Sequence, residues 1–98
     1  MSGQSVEPVP PEVRGKNCAY LLRCADGSLY AGWTNDLEKR LRSHRAGRGA
    51  KYTRSRLPVV LAWYAVCGDK REAMRLEYAL KHLTRGQKLA LLKGEYRL

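Results

Sequence analysis

The tightest constraint on the fold is a change of period inside one short stretch, Leu29–His44, which reads LYAGWTNDLEKRLRSH. Leu29–Trp33 has the character of a strand, Thr34, Asn35 and Asp36 form a polar helix start, and the rest is helical. On that helix Leu37, Arg40, Leu41 and His44 fall at i, i+3, i+4 and i+7, the spacing of a single face. The two leucines anchor the helix to a core. Arg40 and His44, in the same stripe, aim a cation and a titratable ring at whatever the leucines cover. The adjoining strand makes that surface the sheet that carries Tyr30. This pattern describes a site rather than a solvated face.

The flanking chain extends the order to ββαβαα. Asn17–Arg23 is a strand, and Asp26-Gly27 between it and the next apolar run is a strong hairpin signal. Two registers are open. A two-residue Asp26-Gly27 turn pairs Tyr20 with Trp33 and leaves Tyr20 and Tyr30 on opposite faces. A three-residue loop, Ala25-Asp26-Gly27, with a left-handed Gly27 in a bulge, sets Tyr30 against Leu22 and puts both tyrosines on one face. Thr34 or Asn35 is expected to cap the first helix, Glu38 to complete a capping box, and Gly47 and Gly49 to end it.

Ala50–Arg56 then reads as a basic loop or short turn. Leu57–Val66 is a third strand, with Pro58 near its start where proline is tolerated. A helix follows from Asp69 or Lys70 to Leu83, with Ala73, Leu76, Leu80 and Leu83 on one face. Thr84–Leu92 makes a short last helix. Residues 1–16 have no apolar period and are expected to be a disordered tail. Residues 17–98 are then one α+β domain, a small three-stranded, mainly antiparallel sheet flanked by helices.

Charge narrows the partner. The 98 residues carry a net charge of +10, and from Lys39 to Arg56 there are eight Lys or Arg and no Asp or Glu. A segment without acids favours phosphate contact over mere solubility, so nucleic acid is the expected partner. Membrane association is not expected. The longest apolar run, Leu57–Cys67, is too short to span a bilayer, residue 2 is Ser rather than Gly, and the N-terminus has no apolar signal core. Cys18, Cys24 and Cys67 are widely spaced and odd in number, which points to neither a disulfide framework nor a zinc site. They read as small core residues of a reduced, cytoplasmic protein.

Glu77 borders the apolar stripe of its helix, four residues after Ala73 and three before Leu80, with Lys81 at i+4. Alone it would be an exposed glutamate paired with that lysine. Beside Arg40 and His44 on another core-facing edge, a metal-ligating carboxylate is the better reading, because a near-buried carboxylate needs a cation. Tyr20 or Tyr30 can act as a base only if neighbouring cations depress the phenol, a field the Lys39–Arg56 segment could supply. His44 by itself is more often a structural or hydrogen-bonding residue. Trp33 and Trp63 read as core, and Tyr52 as a weak candidate for base stacking.

In their order along the chain, Cys18-Ala19-Tyr20, Tyr30-Ala31-Gly32, Arg40, His44 and Glu77 resemble the GIY-YIG nuclease domain, particularly its small stand-alone bacterial members. The resemblance spans about residues 17–93 and includes DLEKRLRSH and the later LEYALK. It implies a metal-dependent endonuclease that hydrolyses phosphodiester bonds in DNA, a chemistry used in repair and recombination. A single Mg2+ or Mn2+ would be held by Glu77. Tyr20 or Tyr30 would be the general base on the attacking water, Arg40 would hold the scissile phosphate, and His44 would orient a phosphate oxygen or a tyrosine hydroxyl. Lys51 and Tyr52 match a segment that recurs in small members and are assigned to substrate contact, with Arg42, Arg45, Arg48 and Arg54 from the basic segment.

Two departures stand out. Cys18-Ala19 replaces the usual Gly-Ile, and nothing near the C-terminus matches an asparagine that supports the site in some members. Because both family tyrosines line one site, the resemblance also predicts the bulged three-residue loop. The alternative function is a non-catalytic nucleic-acid-binding module, for DNA or structured RNA, that keeps the fold and the basic face.

Overall fold

The first strand, β1 (Asn17–Arg23), buries five residues in succession, Cys18 to Leu22. A strand with one wet face alternates, so an unbroken run means that both faces are covered. The structure, a computed structural model describing residues 6–98, places β1 between β2 (Leu29–Thr34) and β3 (Val60–Cys67) in a three-stranded antiparallel sheet. One face carries α1 (Leu37–Arg45) and a single helical turn, α2 (Lys51–Arg54). The other carries α3 (Lys70–Lys81) and α4 (Arg85–Leu92). Cys18, Tyr20 and Leu22 pack with Leu37, Leu41 and Leu61 on the first side. Ala19, Leu21 and Ala31 pack with Leu80 and Leu91 on the second. This is the expected ββαβαα arrangement, with one helical turn added inside Ala50–Arg56.

The hairpin takes the bulged form. Gly27 sits at φ +84°, its N–H donates to the Cys24 carbonyl at 2.9 Å, and the Cys24 N–H donates to the Ser28 carbonyl at 2.9 Å. A positive φ is costly for a residue with a Cβ, which is why glycine stands there. The resulting register sets Leu22 against Tyr30 and Tyr20 against Gly32, so both tyrosines face α1. A second irregularity lies between β1 and β3. Leu21 pairs with Trp63 but Leu22 pairs with Leu61, leaving Ala62 as the extra residue. That bulge returns Leu61 to the α1 side of the sheet, where it completes the first core.

Two expectations need correction. Asp36, not Thr34 or Asn35, caps α1, accepting from the Lys39 N–H at 3.1 Å. Thr34 instead holds the turn, its hydroxyl accepting from the Asp36 N–H at 3.1 Å, and Glu38 ion-pairs with Arg14 and Arg42 rather than closing a capping box. Asx and hydroxyl side chains compete for the same few N–H groups at a helix start, and three candidates in a row leave the winner to tertiary packing. The second concerns the expected tail at residues 1–16, of which the first five lie outside the described residues. The rest is ordered against the domain. Pro11–Val13 forms a 3-10 turn, Val13 is buried in the first core, and Val9 packs beside it. The Val6 N–H donates to the Leu61 carbonyl at 3.1 Å, and the Glu7 carboxylate accepts from the Leu61 N–H at 3.0 Å. Spaced single valines give no period to read, yet each fills a gap in a core made elsewhere.

Among the described residues no helix is long and apolar enough to cross a membrane. A sheet covered on both faces makes a simple prediction. Leu21 and Leu22 are each fully buried, on opposite sides. Leu21→Ala and Leu22→Ala should each cost about 2–5 kcal/mol in urea unfolding. A near-neutral effect at either position would mean that one face is wet.

Candidate active site

Tyr20 is 1% exposed, and its ring crosses under β2 at Gly32, where a Cβ would lie 2.5 Å from the phenol oxygen. Gly32 is there because nothing larger fits. The Tyr20 hydroxyl reaches His44 Nε2 at 2.9 Å, and His44 Nδ1 reaches Thr53 Oγ1 at 2.8 Å. Thr53 Oγ1 in turn lies 3.0 Å from the Ala50 carbonyl. His44 and Thr53 are both fully buried. Gly49 folds over the imidazole so closely that a Cβ there would collide with the ring.

Proton counting assigns every direction in this chain. A carbonyl can only accept, so the single Thr53 hydroxyl proton goes to Ala50. Thr53 Oγ1 must then accept from His44 Nδ1–H. Neutral imidazole carries one N–H, which leaves Nε2 bare, so Tyr20 O–H donates to it. The chain therefore runs Tyr20 to His44 to Thr53 to the α2 backbone, and Tyr20 keeps a lone pair for another donor.

The charges agree. Burial, aided by the Arg40 guanidinium, pushes His44 down to about 4, so the ring is neutral at pH 7. Burial pushes Tyr20 up to about 12. Arg40 lies alongside its hydroxyl and favours the phenolate, Tyr30 and Glu77 oppose it, and desolvation outweighs them all. The Lys39–Arg56 segment does supply a depressing field through Arg40, but a buried ring loses more hydration than that cation restores.

Tyr30 meets the edge of His44, with ring centroids 5.6 Å apart, and stacks on Tyr52 at 5.8 Å. Arg56 lies over the Tyr52 ring, 3.8 Å from the centroid, and is tethered to Asp26 in the hairpin loop at 3.1 Å. Tyr52 thus props Tyr30 and remains 38% exposed.

The structure brings Tyr20, Tyr30, Arg40, His44 and Glu77 into one electrostatic neighbourhood around the Tyr20 oxygen. Arg40 also lines a cleft of about 200 Å³ with Asn35, Asp36, Lys39 and Ser43. The basic residues fare differently. Arg42 pairs with Glu38 at 3.9 Å and Arg45 with Glu7, whereas Arg48, Lys51 and Arg54 are exposed with no ion pair among the described residues. From sequence Gly49 signals only a helix end, and Thr53, a buried threonine among exposed basic residues, carries no periodic signal.

As a metal site the arrangement is sparse. No group of three or more His, Cys, Asp or Glu assembles among the described residues. Both ring nitrogens of His44 are committed, and the three cysteines are buried. Glu77 remains, its side chain 22% exposed and its carboxylate 3.6 Å from Lys81 Nζ. One carboxylate alone fits a hard divalent ion that fills its shell with water and substrate phosphate oxygens, as magnesium does, and does not fit zinc.

The GIY-YIG catalytic domain model matches residues 16–90. This chain belongs to the GIY-YIG family. Its curated relatives include a UPF0213 protein of Bacillus cereus, 54% identical over 83 residues, covering 84% of this chain and 86% of the relative. A UPF0213 protein of Clostridium perfringens is 53% identical over 79 residues, covering 81% and 85%. The solution NMR structure of a UPF0213 protein from Bacillus halodurans superposes with a TM-score of 0.54 at 44% identity, over 82% of this chain and 85% of that one. These small GIY-YIG proteins agree with the ββαβαα domain described above, and the family places the chain among nuclease domains.

The depressed His44 value has a measurable consequence. In the unfolded chain the imidazole titrates near 6.5, so between about 6.5 and 4 the unfolded state binds the extra proton. Stability from this group is present above pH 6.5 and is lost as pH falls towards 4. Comparing urea unfolding at pH 7 and 4.5, wild type should lose on the order of 2–3 kcal/mol more than His44→Gln, which has no proton to gain. Equal losses would contradict a neutral, buried His44.

Proposed function

We propose that this chain is a metal-dependent endonuclease that hydrolyses phosphodiester bonds in DNA. The observation that carries the reading is the directed hydrogen-bond chain from Tyr20 through His44 to Thr53, with Arg40 beside its open end. A purely structural tyrosine–histidine pair needs no arginine beside its phenol oxygen.

In this reading the phosphodiester draws the Arg40 guanidinium off the Tyr20 oxygen, and a water attacking phosphorus hydrogen-bonds to the lone pair thus released. As its proton passes to the phenol oxygen, the phenol passes its own proton to His44 Nε2. Tyr20 ends neutral, so its high pKa is no obstacle, and the neutral imidazole of His44 is the net base, ending as the imidazolium. His44 is a poor base at rest. The approaching phosphodiester and the negative charge developing on it favour the imidazolium, and Nδ1–H already points at Thr53. Tyr20 is thus the relaying base of the tyrosine pair, and Tyr30, braced by Tyr52 and Arg56, walls the imidazole. Arg40 holds the non-bridging oxygens as charge builds on them. Glu77 would hold Mg2+ or Mn2+, which when bound supplies Lewis-acid stabilisation of the same charge. Arg48, Lys51 and Arg54 would contact flanking phosphates, while Arg42 and Arg45 are available only by giving up Glu38 and Glu7. The buried free cysteines suit a reducing cytoplasm, and repair or recombination is the setting such chemistry fits.

The test is cleavage of a labelled panel of single strand, duplex, flap, junction and RNA with magnesium or manganese. Arg40→Ala and Glu77→Ala should each lower the rate at least about 100-fold while circular dichroism stays native. Tyr20→Phe, which keeps the ring and loses the relay, should cost about 100- to 10,000-fold. Wild-type rates in any of the three would end its assignment. Binding without cutting by the wild type would leave the non-catalytic nucleic-acid module instead.

The same relay sets a pH limit. Activity requires His44 unprotonated, so the acid limb of kcat/KM should fall near 4, well below the 6.5 of an ordinary histidine. A limb at 6.5 would show that a different group accepts the proton.

A further inference from the structure

The outer face of α3 plays no part in the proton relay. Arg71, Met74, Arg75, Tyr78 and His82 fall at i, i+3, i+4, i+7 and i+11, so they form one stripe along the helix. Tyr78 is 66% exposed and Met74 45%, unusual values for large apolar groups that sit side by side. Met74 and Tyr78, with Asp69, Lys70, Arg71 and Arg75, line an open groove of about 950 Å³.

The tyrosine is prepared rather than loose. His82 Nδ1–H donates to the Tyr78 carbonyl at 2.8 Å, which fixes the imidazole, and that ring lies 4.1 Å from the Tyr78 ring at 33°. One face of the phenol is thereby backed and the other is left open towards the groove.

The acids of this helix are already engaged. Asp69 caps it through the Glu72 N–H, Glu72 accepts from the Gly68 N–H, and Glu77 pairs with Lys81. Arg71 and Arg75 have no carboxylate within ion-pair distance among the described residues. A flat aromatic face one turn beyond two unpaired guanidinium groups matches a polyanion that can offer a flat ring, which is a nucleic-acid strand with unpaired bases. A second copy of a chain with net charge +10 is electrostatically disfavoured as the occupant. Duplex DNA hides its base faces within the stack.

We propose that the outer face of α3 is a binding site for single-stranded nucleic acid, in which an unpaired base stacks on Tyr78 and flanking phosphates meet Arg71 and Arg75. Tyr78 follows Glu77 directly in sequence, so a strand held on this face lies on the helix that supplies the carboxylate of the cutting site. As the substrate class of that site, the inference rests on the nuclease reading. As a binding site it stands without it.

The test is fluorescence anisotropy with a labelled mixed-sequence single strand and a blunt duplex, in EDTA so that no cleavage intervenes. Tyr78→Ala should weaken single-strand binding by about 5- to 100-fold, leave duplex binding within about twofold, and be rescued by Tyr78→Phe. Arg71→Ala and Arg75→Ala should each reduce the log–log salt slope by about 0.7. Unchanged single-strand affinity in Tyr78→Ala, an equal loss on duplex, or no single-strand binding by the wild type would each overturn the proposal. Cleavage of a flap by the same variants, with magnesium restored, separates the two readings. If Tyr78→Ala binds normally and Arg40→Ala fails to cut, the α3 site falls and the nuclease stands. If Tyr78→Ala loses binding and no protein cuts, the reverse holds.

Discussion

The Tyr20–His44 hydrogen bond is the contact around which the rest of the first layer is arranged. It joins the central strand to the first helix through two polar groups with almost no access to water, where an unpaired partner would be costly. Everything nearby serves to complete it. Thr53 takes the second imidazole nitrogen, Ala50 takes the threonine proton, and among the described residues no buried side-chain nitrogen or oxygen lacks a partner. Two glycines give up side chains to make room, one under the phenol and one over the imidazole. The fold therefore fixes a proton donor, an acceptor and the direction between them before any ligand arrives, which is the preorganisation that acid–base chemistry requires.

Burial and charge are set against each other at this point. Desolvation keeps both groups neutral, the phenol protonated and the imidazole bare, despite an adjacent guanidinium that would prefer a phenolate. The compromise leaves a neutral donor–acceptor pair whose charge separation is unfavourable until an anion arrives.

Much of this was legible in the sequence because it depended on period. The stripe of Leu37, Arg40, Leu41 and His44 points to a sheet-facing side of the helix, and Leu37, Leu41 and His44 are buried while Arg40 is half-buried. The hairpin register was not legible from local chemistry, since Asp26-Gly27 suits both loop lengths, and only the shared site of the tyrosines separated them. The residues that escaped are those whose roles are set by distant partners. Thr53 matters because His44 has a second nitrogen to satisfy. Tyr52 braces Tyr30 and carries the Arg56 guanidinium, contacts that no local pattern shows. Cap choice at Thr34, Asn35 and Asp36 turned on which oxygen could reach the Lys39 N–H, a matter of tenths of an ångström that composition does not encode.

The segment ahead of β1 has a consequence for association. β3 is an edge strand, and its backbone could template pairing with another molecule. At Leu61 both backbone groups are occupied, the carbonyl by Val6 and the N–H by the carboxylate of Glu7. A carboxylate in place of a peptide carbonyl ends the ladder there, because it offers no further strand to extend. A chain trimmed to begin at Asn17 would keep every residue of the relay and expose this edge, and its failure in solution would take the form of self-association rather than lost chemistry.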